Sequence, residues 1–139
     1  MNPLLELEQE QLTDESENIG LDILRRYNVK VSPKPFVSNG IEVGTPFCLS
    51  EAVALFGKNI IPDVLGIYHL FYNDQLVYIG MSRSIRGRLL GHLKDNDMPF
   101  TYVLWFPMKE YTVTEVLDKE YKMIKYYKPV LNETHANCR

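Results

Sequence analysis

A change of hydrophobic period between residues 66 and 92 limits what this chain can fold into. From Ile67 to Tyr72 and from Leu76 to Ile79, β-branched and aromatic residues dominate, as they do in strands. Asn73-Asp74 lies between the two runs, and both residue types favour tight turns. Two strands joined this way form an antiparallel hairpin. From Ile85 the period lengthens to that of a helix, with Ile85, Leu89, Leu90 and Leu93 on one stripe. Ser82 and Ser84 are the candidate N-caps. Gly80, at the end of the second strand, reads as the point where the chain turns sharply.

The hairpin carries a geometric condition. Side chains alternate between faces along a strand, and paired residues share a face. A three-residue loop, Tyr72-Asn73-Asp74, would pair Tyr68 with Tyr78 on one face. A two-residue loop on Asn73-Asp74 would put them on opposite faces. The three-residue loop is the expectation, because a shared site needs both hydroxyls together.

The rest of the chain supports this stretch. Residues 1–20 hold six acidic and no basic residues, which suits a frayed acidic helix or a disordered tail. Leu21 to Tyr27 reads as a short amphipathic helix. Residues 28–47, with three prolines and two glycines, suit turns and short extended pieces such as 29–31 and 41–43. Ser50 is the expected cap of a helix from Glu51 to Phe56 that ends at Gly57. Phe100 to Phe106 reads as a central strand buried on both faces, with a base-stacking platform on Tyr102 or Trp105 as the functional alternative. Thr112 or Thr114 caps a helix from Val113 to Tyr127, whose inner stripe is expected to be Val116, Leu117, Tyr121 and Ile124, and Pro129 ends it.

Arg88 and His92 are one turn apart on the first long helix, so their side chains share a face. Together with Gly66-Ile67-Tyr68, Tyr78-Ile79-Gly80, Glu120 and Asn132, they complete an ordered set that resembles the GIY-YIG nuclease superfamily. The likeness runs from about Leu65 to Asn132. It implies an α/β (α+β) domain: a small three-stranded antiparallel sheet, strands near 66–72, 76–80 and 100–106, flanked by helices near 83–94 and 113–127. The expected organisation is an acidic tail or frayed helix at 1–20, an N-terminal extension at 21–64 packed on the core, a nuclease domain at 65–132 and a tail at 133–139.

The resemblance also implies a chemistry: metal-dependent endonucleolytic cleavage of DNA to 5′-phosphate and 3′-hydroxyl ends. Tyr68, Tyr78, Arg88, His92 and Glu120 are the expected catalytic residues. Glu120 is the expected ligand of one Mg²⁺ or Mn²⁺ ion per site, since a carboxylate is a hard oxygen donor. Arg88 offers planar donors to a phosphate. Tyr68 would take the proton of the attacking water, although a phenol with its ordinary pKa near 10 is a poor base unless neighbouring charges lower it. Tyr78 would orient water or phosphate, and His92 would hold Tyr68 or shuttle a proton. Ser82, Arg83, Arg86, Lys122 and Asn132 are the expected substrate contacts. Each residue alone has a plainer reading: strand tyrosines as core-edge residues, Arg88 and Glu120 as surface charges, Asn132 as a cap on backbone groups. The combination favours the site.

DNA is the expected partner, with no membrane contact. The net charge of −3 is adverse to DNA binding, but its distribution is uneven. Residues 1–65 carry five basic against ten acidic residues, while residues 66–132 carry nine against seven. A weakly basic face is compatible with phosphate binding and argues against tight sequence-independent binding. Target choice would then come from loops, DNA structure, a specificity-giving protein partner or a self-dimer. Two rival classes remain: a catalytically weak DNA-binding or regulatory module, and an interaction protein working through the acidic N-terminus. The absence of a signal-like start or a long apolar run predicts a cytoplasmic protein, or a nuclear one in a host with a nucleus. Cys48 and Cys138 form no CxxC pair and read as two reduced thiols.

Overall fold

The change of period is realised as strand, turn, strand, helix. The computed structural model describes residues 19–136, so most of the expected acidic tail, residues 1–18, lies outside the described residues, as do residues 137–139. In chain order the elements are α1 (Leu21–Arg26), β1 (Phe36–Ser38), β2 (Ile41–Gly44), α2 (Leu49–Phe56), a 3₁₀ turn (Lys58–Ile60), β3 (Gly66–Tyr72), β4 (Gln75–Ser82), α3 (Ile85–Asp95), β5 (Tyr102–Pro107), α4 (Val113–Tyr127) and α5 (Val130–Ala136). The fold is mixed α and β, with a three-stranded antiparallel sheet of order β4-β3-β5 and a separate hairpin of β1 and β2. Among the described residues no helix is long and apolar enough to cross a membrane.

The central strand is β3, not the apolar run near residues 100–106. β5 is an edge strand whose outer side is covered by Phe47: Phe47 donates its N–H to the Val103 carbonyl and accepts from the Val103 N–H. That cover satisfies the exposed edge and hides the apolar run, so β5 is buried like an interior strand. Trp105, 2% exposed, packs edge-on against Phe47 and is core rather than a stacking platform.

The sheet separates two cores. One face carries Tyr68, Leu70, Val77, Tyr78, Val103 and Trp105, which pack against Ile85 and Leu89 of α3 and the N-terminal residues Phe47, Leu49, Ala52 and Ile60. The other carries Ile67 and Ile79, packed on Val116 of α4 with Met123, Ile124 and Tyr127. The inner stripe of α4 is therefore Val116, Glu120, Met123 and Ile124. Leu117 and Tyr121, expected inside, are 47% and 64% exposed. The helix is rotated so that a carboxylate, Glu120, takes the inward position that an apolar count alone would give to Tyr121.

The starts of α3 and α4 follow local rules. Ser84 caps α3 by accepting from the Gly87 N–H, and Thr112 forms a reciprocal capping box with Glu115 on α4. Helix α2 starts earlier than expected, with Cys48 rather than Ser50 in the capping position and no side-chain cap bond. The expected C-terminal tail begins as helix α5, which runs to Ala136.

Candidate active site

Register decides whether the two tyrosines meet. The turn between β3 and β4 has two residues, Asn73 and Asp74, because Tyr72 pairs with Gln75 and Phe71 with Leu76. Asn73 takes a left-handed φ of 56°, which Asn tolerates. The three-residue loop expected from the sequence is absent. The next pair, however, is Leu70 with Tyr78, so Val77 is an extra residue in β4, a β-bulge. The bulge restores the odd count. Tyr68 pairs with Gly80 and Leu70 with Tyr78, which places Tyr68 and Tyr78 on one face, their ring centres 6.2 Å apart.

Gly80 then has a specific task. β4 runs through it to Ser82, so it makes no sharp turn. A Cβ at Gly80 would lie 2.2 Å from the Tyr68 Cζ and 2.3 Å from its hydroxyl oxygen. The Tyr68 ring thus lies across the edge strand in the space that only glycine leaves. Gly66 is a similar seat, where a Cβ would meet the Phe106 carbonyl oxygen at 2.4 Å.

The Tyr68 hydroxyl is 2.8 Å from His92 Nε2, and His92 Nδ1 is 2.8 Å from the Asp97 carboxylate. His92 is 4% exposed, while Asp97 is half exposed. Asp97 was not among the candidates: the sequence from Asp95 to Pro99 reads only as a polar turn, and a partner five residues beyond a histidine matches no helical spacing. Tyr78 closes the other side, its ring centre 6.3 Å from that of His92. Glu120 enters on α4, which packs along β4, and is 3% exposed. Arg88 is exposed and, within the described residues, its guanidinium makes no hydrogen bond or ion pair.

These groups share one electrostatic neighbourhood. Burial is the main force pushing the Tyr68 phenol well above its usual pKa. The neighbouring Tyr78 phenol adds to it, the Arg88 guanidinium opposes it, and Glu120 and Asp97 add further. The lowering by neighbouring charges that a basic Tyr68 would need is not supplied by Arg88 alone: burial outweighs the cation. For Asp97, partial burial works to raise the pKa, but the hydrogen bond and charge of His92 prevail and hold it below the ordinary carboxylate range.

The expected substrate contacts divide. The Ser82 hydroxyl donates to the Ser84 carbonyl and accepts the Ser84 N–H, which shapes the entry to α3. Arg83 is exposed. Arg86 donates to the Ile61 and Asn59 carbonyls and lies 3.7 Å from Asp63, so it clamps the segment after the 3₁₀ turn. Lys122 is 2.9 Å from Asp118 on the solvated side of α4. Asn132 is 2% exposed, and its amide both accepts from the Ile79 N–H at 2.8 Å and donates to the Ile79 carbonyl at 2.9 Å. It closes the free edge of β4 as a further strand would, so its engagement is with the fold.

A cleft of about 280 Å³ opens on this side, lined by Ser82, Ser84, Gly87, Arg88, Gly91, His92, Asp95 and Asp97. Neither glycine of α3 packs on the sheet. A Cβ at Gly91 would meet nothing within 4 Å, and one at Gly87 would meet only the cap serine, at 3.4 Å. Among the described residues no group of three or more His, Cys, Asp or Glu gathers as a metal cage. One carboxylate per site, that of Glu120, fits an ion that keeps most of its waters and takes further oxygens from a phosphate; it does not fit an ion held by protein alone. Comparisons of the chain with protein-family models, with curated proteins and with solved structures return no match.

Proposed function

We propose that the chain is a DNA endonuclease of the GIY-YIG type, hydrolysing phosphodiester bonds to 5′-phosphate and 3′-hydroxyl ends. The observation that supports this reading is that Tyr68 is bonded to His92 with Tyr78 on the same face, its ring centre 6.2 Å away, while Arg88 and His92 line one cleft. A guanidinium without a protein partner at a cleft beside that cluster suits a phosphate.

In this proposal Arg88 binds the non-bridging oxygens of the scissile phosphate and offsets charge as it builds. Tyr68 does not ionise first. As a water oxygen bonds to phosphorus, the water proton passes to the Tyr68 oxygen and the Tyr68 proton passes to His92 Nε2. The bond to the 3′ oxygen breaks, and that oxygen gains a proton from solvent. His92 is the base that ends the relay, and Tyr68 is the conductor. Tyr78 orients the water from the same face. A divalent ion held by Glu120, Mg²⁺ or Mn²⁺, would supply Lewis-acid stabilisation of the leaving oxygen. One site cuts one strand, so a double-strand break needs a second copy or a second visit.

A second reading, a DNA-binding module with weak turnover, is favoured by the burial of Tyr68 at 2% and Glu120 at 3% exposure. One assay separates the two. Supercoiled plasmid is incubated with Mg²⁺ and wild type, Arg88→Ala or Glu120→Gln, and the nicks are tested for sealing by ligase. Sealable nicks that fall on the order of 100-fold in both variants support the endonuclease. Equal nicking by all three proteins removes the assignment, and binding without nicking by wild type selects the module.

A further inference from the structure

We infer that Asp97 is a positioning residue: it sets the tautomer of His92 so that the ring presents a bare Nε2 to the Tyr68 hydroxyl. The inference rests on the relay proposed above and adds to it the group that gives the relay its direction.

The chemistry of the contacts carries the argument. An ionised carboxylate can only accept a hydrogen bond, so the 2.8 Å contact between Asp97 Oδ1 and His92 Nδ1 requires a proton on Nδ1. A neutral imidazole has one N–H, so Nε2 is then an acceptor. The 2.8 Å contact at Nε2 must therefore be donated by the Tyr68 hydroxyl. With the opposite tautomer, Nε2 would donate to Tyr68 and could not receive its proton. Asp97 also faces the charge that appears on the ring once the proton arrives, which stabilises the imidazolium. The same logic of a carboxylate that orients a histidine operates in hydrolase triads and metal sites.

The backbone delivers Asp97 to this position by a helix-ending device. Asn96 takes a left-handed conformation, φ 49°, at the end of α3 and donates its N–H to the His92 carbonyl. The chain reverses there, which brings the next residue's carboxylate back under the His92 ring. Met98, 5% exposed, is anchored in the main core immediately afterwards. Asp97 is thus held between a helix cap and a core anchor, while its carboxylate remains half exposed at the cleft. Among the described residues the side-chain hydrogen bond of this carboxylate is to the His92 ring, which is why a purely structural role accounts for it poorly.

The test uses the full chain, wild type and Asp97→Ala, Asp97→Asn and Asp97→Glu. Long-range ¹⁵N–¹H spectra read the His92 ring, assigned by its absence in His92→Gln. The expected result is a proton on Nδ1 and a bare Nε2 in wild type and Asp97→Glu, with a shift toward the Nε2–H form in Asp97→Ala. In single-turnover plasmid nicking, Asp97→Ala is expected to lose on the order of 100-fold in rate at unchanged DNA affinity, with partial recovery in Asp97→Glu. A wild-type ring protonated on Nε2, or a tautomer unchanged in both Asp97→Ala and Asp97→Asn, overturns the inference. The tautomer is read without cleavage, so a wild type that never nicks DNA defeats the nuclease reading and leaves Asp97 to be judged by the spectra. Active wild type with a switched tautomer and an undiminished rate in Asp97→Ala defeats its part in the reaction.

Discussion

Tyr68 and His69 are neighbours on β3, and the two faces they point to treat a buried imidazole in opposite ways. On the Tyr68 face, His92 has a partner at each ring nitrogen and lines a cleft. On the other, His69 is 2% exposed among Phe36, Phe71, Phe106 and Tyr127, and its Nδ1 has no partner among the described residues. Burial alone therefore does not mark a functional histidine. A proton can enter and leave His92 because an acceptor and a donor flank it. His69 has one ring nitrogen with no partner, and burial pushes its pKa down to about 4, partly offset by a backbone hydrogen bond at Tyr68.

The largest expected effect comes from that depressed value. A histidine held neutral in the folded state and ordinary in the unfolded one, near 6.5, stabilises nothing extra above that pH and opposes folding below it. Stability from this group is thus intact above pH 6.5 and lost as the pH falls toward 4, by roughly 3 kcal/mol in all. Urea unfolding at a series of pH values should show this loss in wild type and a flatter curve in His69→Phe, with nicking unchanged. Equal acid sensitivity in both proteins would mean that the two faces do not differ in this way.

Gly80→Ala attacks the other face. The added methyl meets the Tyr68 ring well inside contact distance, so the ring must leave its seat and its bond to His92. Destabilisation of about 2 kcal/mol is expected, with loss of cleavage. Thermal melts and the nicking assay check both. A fully active Gly80→Ala would show that Tyr68 needs no such seat.

Gly91→Ala has the smallest effect and the opposite sign. Nothing lies within 4 Å of the new methyl, so helix propensity alone should stabilise the protein by about 1 kcal/mol. If the open space serves the DNA backbone, the same variant binds duplex DNA more weakly, as fluorescence anisotropy would read. Stabilisation with unchanged affinity would assign the space no part in binding.

The elements around the site were legible in the sequence because each carries a strong local signal: β-branched and aromatic runs in β3 and β4, caps on α3 and α4, proline after α4. What failed depended on distant partners. The same-face placement of Tyr68 and Tyr78 is correct for a reason that counting loop residues does not reveal, since a bulge at Val77 supplies the odd residue. β5 looked central because Phe47, more than fifty positions earlier, covers its edge. The inner stripe of α4 was misplaced by one position because an apolar count ranks Leu117 and Tyr121 above Glu120. The bonds of Asn132 and Arg86 to backbone were not legible because their partners, Ile79 and Ile61, are separated from them by 53 and 25 positions. Asp97 was missed because a left-handed residue, and not helical spacing, brings it to His92.

In the proposed reaction the water proton leaves through the Tyr68 hydroxyl to His92. The direct measurement is the single-turnover cleavage rate of Tyr68→Phe on a labelled duplex with Mg²⁺, beside its DNA affinity. Removal of that one oxygen should slow cleavage on the order of 1,000-fold with affinity unchanged. A Tyr68→Phe protein that cuts as fast as wild type would contradict it.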